Sequence, residues 1–190
     1  MGSQIVVERN PVLREEVAKV ITGVHHKGIT VSNLERSIAF YHEVLGLEFA
    51  TEPTDVFSGE DLSRGLGVSG ASLRLAILKA GNANVELLEY VTPESPIDKP
   101  LPQNALGAQH VAFLVDDIAA AVKELEAKGV EFYSPVNAVD EGPLAGWRWV
   151  YFSDPDGITL ELVEIAYVLE DQRRRALETY LASRRSKVGA

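Results

Sequence analysis

The chain describes its own architecture twice. With His26 set over His110, an offset of 84 residues, Val31 falls on Val115, Leu34 on Ile118 and Ile38 on Val122. One gap later Gly46-Leu47-Glu48-Phe49 meets Gly129-Val130-Glu131-Phe132. The ends agree as well, Asn84–Glu89 lying over Thr159–Glu164. A repeat unit with one helix on a curved sheet cannot bury both sheet faces alone, so two units must pair. The groove between them is then a natural site.

Each unit reads as strand, helix and roughly three strands. In the first, Val24 to Val31 alternates in β fashion, and Ser32 followed three residues later by Glu35 predicts a capping box. Leu34, Ile38, Tyr41 and Leu45 recur at helical spacing before Gly46 stops the helix. Strands are expected at Ser72 to Leu78 and Asn84 to Val91, and the polar stretch Thr51 to Gly70 is expected to hold a strand and a long loop. Pro93, Pro96, Pro100 and Pro102 mark residues 92–107 as a linker. The second unit opens with a strand at Gln109 to Val115, then a helix capped by Asp116-Asp117 with the stripe Ile118, Val122 and Leu125. Strands follow near Val130–Tyr133, Trp147–Phe152 and Ile158–Ile165, with Asp154-Pro155-Asp156-Gly157 as a turn. Residues 1–21 are expected to form an extension with a short helix from Asn10-Pro11, and residues 167–190 an amphipathic tail helix burying Leu177, Tyr180 and Leu181. The fold class is α+β: modules 22–91 and 108–166 share one curved mixed-sheet cleft, forming a single domain over 22–166.

Composition narrows the function. The 190 residues suffice for a buried core without staples, and the absence of Cys excludes thiol catalysis, zinc fingers and iron–sulfur clusters. A net charge of −10 argues against nucleic-acid binding. Arg173-Arg174-Arg175 follows Glu170-Asp171 and reads as a solvated helix face. Neither a membrane span nor a signal sequence is legible, so a cytoplasmic protein acting on a small molecule is expected, with no membrane and no nucleic-acid partner.

Each repeat carries a His in its first strand and a Glu in its last. Strand alternation sends Ile29 and Val31 to the helix side and leaves His26, Gly28 and Thr30 on the groove side. The same parity turns Glu86, His110 and Glu161 toward the groove. His26, Glu86, His110 and Glu161 therefore form the candidate ligand set for one divalent ion, with Ni, Zn, Fe, Mn and Co all compatible. Such an ion keeps open positions that a substrate with two adjacent oxygens can fill, and it stabilises a developing enolate. Trp149 and Tyr151 are expected on the groove wall. Arg74 and Arg148 occupy matching repeat positions and are candidates for an anionic substrate group. His25, Glu89 and Glu164 have the opposite parity, and His42 is expected on a solvated helix face.

His26-Lys27-Gly28-Ile29-Thr30-Val31, Phe40-Tyr41 and Leu45-Gly46-Leu47 together resemble the first module of the vicinal oxygen chelate superfamily. Gln109-His110-Val111-Ala112-Phe113 and Asp154-Pro155-Asp156-Gly157 through Leu160-Glu161-Leu162 resemble its second. The resemblance spans about residues 22–166 and implies a paired βαβββ fold, a metal in the cleft and a homodimer. The His26/Glu86/His110/Glu161 set is similar to that of bacterial glyoxalase I, implying a lyase or isomerase that moves a proton next to a carbonyl. In that reading Glu161 doubles as base, with Glu86 as fourth ligand or partner. Thr30 and Tyr90 stand where glyoxalase I keeps glutathione-binding residues, and Arg74 where methylmalonyl-CoA epimerase keeps a carboxylate. Alternatives from the same superfamily are an Fe(II) ring-cleaving dioxygenase on His26, His110 and Glu161, and a bleomycin-resistance-type binding protein without catalysis.

Overall fold

The computed structural model describes residues 21–142 and 144–165, together with Arg174, Arg175, Glu178 and Thr179, which are helical. The expected N-terminal helix and the tail residues Leu177, Tyr180 and Leu181 lie outside the described residues.

The first module runs β1 (His26–Thr30), α1 (Leu34–Ile38), a π-helical turn (Ala39–Val44), β2 (Glu48–Phe49), β3 (Phe57–Ser58), α2 (Glu60–Leu66), β4 (Ser72–Ala80) and β5 (Ala83–Thr92). Its sheet has the order β1-β5-β4-β2, with β3 also on β4. The second module runs β6 (Val111–Leu114), α3 (Ile118–Ala127), β7 (Asn137–Ala138), β8 (Trp147–Ser153) and β9 (Thr159–Ile165), in the order β6-β9-β8-β7. In both, the first strand pairs in parallel with the last, and the last pairs antiparallel with the strand before it. The α+β fold with a repeated, mixed-sheet unit is thus present.

Local chemistry differs from expectation in four places. The N-cap of α1 is Asn33, whose side chain accepts from Arg36 N, and no Ser32–Glu35 box forms. Ser32 is held instead by Asp156 of the other module, through its backbone N–H at 2.9 Å and its hydroxyl at 2.6 Å. The polar stretch 51–70 contains the helix α2, ended by Gly67 in the left-handed region. Residues 130–133 contribute only a single bridge, Phe132 to Phe152, and the fourth strand of the second sheet is Asn137–Ala138. Finally, β6 starts at Val111, so His110 stands just before its strand.

The helix-side faces of both sheets meet in one core. Ile29, Leu34, Tyr41, Leu78 and Leu87 from the first module are contiguous with Ile118, Val150, Phe152 and Leu160 from the second. Each such side chain stabilises the fold by roughly 1.5–3 kcal/mol on full burial. A buried polar contact crosses this core, Tyr41 Oη donating to Asp154 at 3.1 Å. Among the described residues no helix is long and apolar enough to cross a membrane.

Candidate functional site

Two His–Glu pairs face away from the core, one in each module. In β1 the alternation leaves Ile29 buried and His26, Gly28 and Thr30 exposed. Gly28 stands opposite Glu86 across the parallel β1–β5 pair, so His26 lies two residues earlier and reaches Glu86 on the diagonal. The imidazole Nε2 is 3.3 Å from Glu86 Oε2. The second module repeats this geometry. Ala112 stands opposite Glu161, His110 lies two residues earlier, and its Nε2 is 3.1 Å from Glu161 Oε2. A small residue facing each carboxylate keeps the path from imidazole to carboxylate open.

The two pairs share a second property. His26 and His110 are 39% and 44% exposed, whereas Glu86 and Glu161 are 17% and 10% exposed. Recessed carboxylates, Glu161 buried and Glu86 partly so, under accessible imidazoles can present a metal or a proton acceptor to a ligand arriving from solvent. Burial pushes the Glu161 carboxyl above its ordinary value, against the lowering effects of His110 and of a hydrogen bond from Tyr151. A raised carboxyl is a better proton acceptor.

The pairs are not equivalent. Tyr151 lies directly across β8–β9 from Glu161, and its ring meets His110 edge-on at 5.3 Å between centroids. Its phenol is pushed up by burial first and then by the charge and hydrogen bond of Glu161. The matching residue across from Glu86 is Ile77, which offers no polar group. Trp149 follows Tyr151 on the same face, with ring centroids 5.2 Å apart. Both aromatics share the sheet face that carries Glu161, and Tyr151 lines a cavity there. His25, in contrast, is exposed as expected but bonds its neighbour, Nδ1 to Nδ1 of His26 at 2.8 Å. His42 bonds the carbonyl of Leu47 through Nδ1 at 2.7 Å.

Arg74 and Arg148 do not reach the groove. They lie on the helix side, opposite Glu89 and Glu164 in register. Arg74 binds Glu89 at 2.8 Å and also Glu35, and Arg148 binds Glu164 at 3.4 Å. Each glutamate in turn accepts the first backbone N–H of a helix, Leu34 N to Glu89 and Ile118 N to Glu164, both at 2.7 Å. These arginines orient carboxylates that cap helices and are not placed to bind a substrate anion. Equal repeat position signalled symmetry, and the symmetry is structural.

The donor set suits a borderline divalent ion, with neutral imidazole and carboxylate in each half. Among the described residues no three His, Cys, Asp or Glu side chains stand close enough to hold one. For one ion to take all four donors the pairs must approach each other, within the chain or across two copies.

The family model whose description is glyoxalase/bleomycin resistance protein/dioxygenase superfamily matches residues 23–162. The chain belongs to this superfamily. A 2-epi-5-epi-valiolone epimerase from Actinomyces sp. is 38% identical over 146 residues, covering 75% of this chain and 79% of that one. The mitochondrial methylmalonyl-CoA epimerase of Mus musculus is 30% identical over 112 residues, 58% of this chain and 56% of its own length. Among solved structures, a glyoxalase family protein from Bacillus cereus superposes with a TM-score of 0.64 at 26% identity, covering 79% of this chain and 99% of that one. A member of the superfamily from Sphaerobacter thermophilus gives 0.51 at 26% identity, over 76% and 98%. The curated relatives whose names state a reaction here are epimerases, so isomerase-type chemistry is the superfamily activity that the comparisons support. A glyoxalase I-type lyase is not singled out.

The linker supplied what sequence reasoning missed. Pro100, Leu101, Gln103 and Gly107, from a stretch read only as a connection, wall a cavity beside His110 and Tyr151. The dense prolines of that stretch were the signal for a stiff wall.

Proposed function

We propose that the protein is a metal-dependent epimerase or isomerase that moves a proton on the carbon next to a carbonyl. The carrying observation is the pair of repeat-equivalent His–Glu sets on the groove side, each with an accessible imidazole over a less exposed carboxylate. The names of the epimerase relatives support the same reaction class. His26, Glu86, His110 and Glu161 would hold one divalent ion, closed within the chain or between two copies in a homodimer. Such an ion, when bound, supplies electrostatic stabilisation to negative charge developing on two adjacent substrate oxygens.

The chain's own residues do the rest. Glu161, raised by burial, takes the proton from the carbon, leaving the electron pair in an enolate. Tyr151, directly across β8–β9 from Glu161, is placed to steady its carboxylate. The proton returns to the neighbouring carbon for isomerisation, or a proton from Glu86 reaches the opposite face of the same carbon for epimerisation. Atoms and charge balance, and no oxidant is used.

The test is metal content by elemental analysis beside solvent-deuterium uptake followed by NMR. One first-row ion per site, lost in His26→Ala and His110→Ala, is expected. Glu161→Gln should keep the ion and lose at least 100-fold in exchange rate, in line with the usual weight of a general base. A Glu161→Gln variant that binds metal and exchanges at full rate would remove Glu161 as base. Oxygen consumption that survives Glu86→Ala would replace the proton-transfer reading with ring cleavage.

A further inference from the structure

From the cavity beside His110 we infer a substrate class: a compact, uncharged, hydroxylated ketone, positioned by the amides of Gln103 and Gln109. This rests on the proposed site at His110 and Glu161. The cavity has a volume of about 400 Å³ and lies entirely in the second half of the chain, between the linker and the β8–β9 hairpin. That is near the lower end of the roughly 300–1,000 Å³ typical of small-molecule sites. It suits a single small ring.

Its walls set the chemistry. Leu101 and Ile158 supply apolar contact, Gln103, Gln109 and Thr159 supply neutral donors and acceptors, and His110 and Tyr151 stand at the reacting end. No Lys, Arg, Asp or Glu lines it. The cations nearby are otherwise engaged or outside the wall. Lys27 donates to the side-chain oxygen of Gln109, which orients that amide, and Lys99 precedes the wall residue Pro100 and is exposed. Arg74 and Arg148, the two arginines expected to receive an anion, bind Glu89 and Glu164 on the far side of their sheets. An anionic ligand would instead approach Glu161, behind His110. Neutral amides and a hydroxyl instead match hydroxyl groups, which donate and accept equally.

The wall is also supported. Pro100 lies beside the turn, its ring carbons 3.8 Å from where a Cβ on Gly157 would stand, and Gly157 has a φ of +82° that favours glycine. Backbone bonds from Ala105 N to Pro102 O and from Ala108 N to Ala105 O fold the linker into consecutive turns. A site held this way needs little ordering on binding.

The test uses the metal-loaded full chain and calorimetric titration with two probes. One is 2-keto-myo-inositol, a neutral hydroxylated ring ketone, and the other is methylmalonyl-CoA, an anion. The ketone should bind at least about 10-fold tighter. Gln103→Ala and Thr159→Val should each weaken it by about 3- to 10-fold, the loss of one neutral hydrogen bond. Gln103→Arg should narrow the gap by admitting the anion. Tighter binding of the CoA ester, or ketone affinity unchanged in both truncated variants, would overturn the inference. Deuterium uptake judges the reaction separately. Ketone binding without exchange would overturn the proton transfer and keep the subsite, whereas exchange on methylmalonyl-CoA with no ketone binding would overturn the subsite and keep the reaction.

Discussion

Single side chains in this protein are assigned by face. On the helix side, Glu89 and Glu164 cap α1 and α3 and are paired with Arg74 and Arg148. Truncating Glu164 to Ala leaves the N–H of fully buried Ile118 without its acceptor. A loss of about 1–3 kcal/mol is expected in urea denaturation, and Arg148→Ala should lower stability while leaving substrate KM unchanged. A changed KM with unchanged stability would put Arg148 back in the substrate site. Asp154 is the other single residue with measurable weight. It is 5% exposed and accepts from Asp156 N, Ile158 N and Tyr41 Oη. Burial holds its carboxyl above the ordinary value despite those bonds. The native state therefore keeps a proton that the unfolded chain has released. Stability contributed by Asp154 falls as pH rises from the ordinary carboxylate range to the native value, and is level above it. Asp154→Asn retains the acceptor for both backbone N–H groups and cannot ionise. Across that window its stability should gain on the wild type as pH rises, and parallel curves in stepped-pH denaturation would count against the assignment.

At the scale of elements, the informative piece is the β8–β9 turn. Asp154-Pro155-Asp156-Gly157 was legible as a turn from its residues alone, since Asp, Pro and Gly each favour one. Its second task was not legible. Asp156 accepts from the backbone and hydroxyl of Ser32 and from Arg36, which ties the turn of one module to the start of the helix in the other. A residue 124 positions away thus claimed Ser32 and displaced the local capping box. Asp156→Ala should cost about 1–2 kcal/mol, read as a lower midpoint in thermal melts, because it removes one bond to charged Arg36 and two at the helix start. Unaltered melting would show that Asn33 holds the start of α1 without the Ser32–Asp156 tie. The helix α2 was missed for a related reason. Its sequence Glu60–Leu66 has no buried residue, so no apolar period marks it.

For the whole molecule, the core is one cluster with members from both modules. Neither repeat buries its helix-side face without the other, so the two should unfold together. Both tryptophans, Trp147 and Trp149, lie in the second module, and their fluorescence reports that half alone. Fluorescence and far-ultraviolet circular dichroism should therefore give one denaturation midpoint. Two separated midpoints would mean that each module carries its own stability.

What the residues determined by themselves was everything governed by short-range period. Alternation in β1, β5 and β9 placed His26, Glu86 and Glu161 on the groove side, and the repeat announced two equal units. Tertiary structure decided how those units are used. Alternation says which face a side chain takes, but not what lies across the sheet from it. Register alone put Arg74 on Glu89 and Arg148 on Glu164, and gave Tyr151 to Glu161 while Ile77 faces Glu86. The linker became a wall because Pro100, Leu101 and Gln103 were brought beside Tyr151, Ile158 and Thr159, segments that no local pattern couples. The physical reason is range. A strand's period is set by its own backbone, whereas cavities, ion pairs and crossed hydrogen bonds are set by which distant segments the shared core brings together.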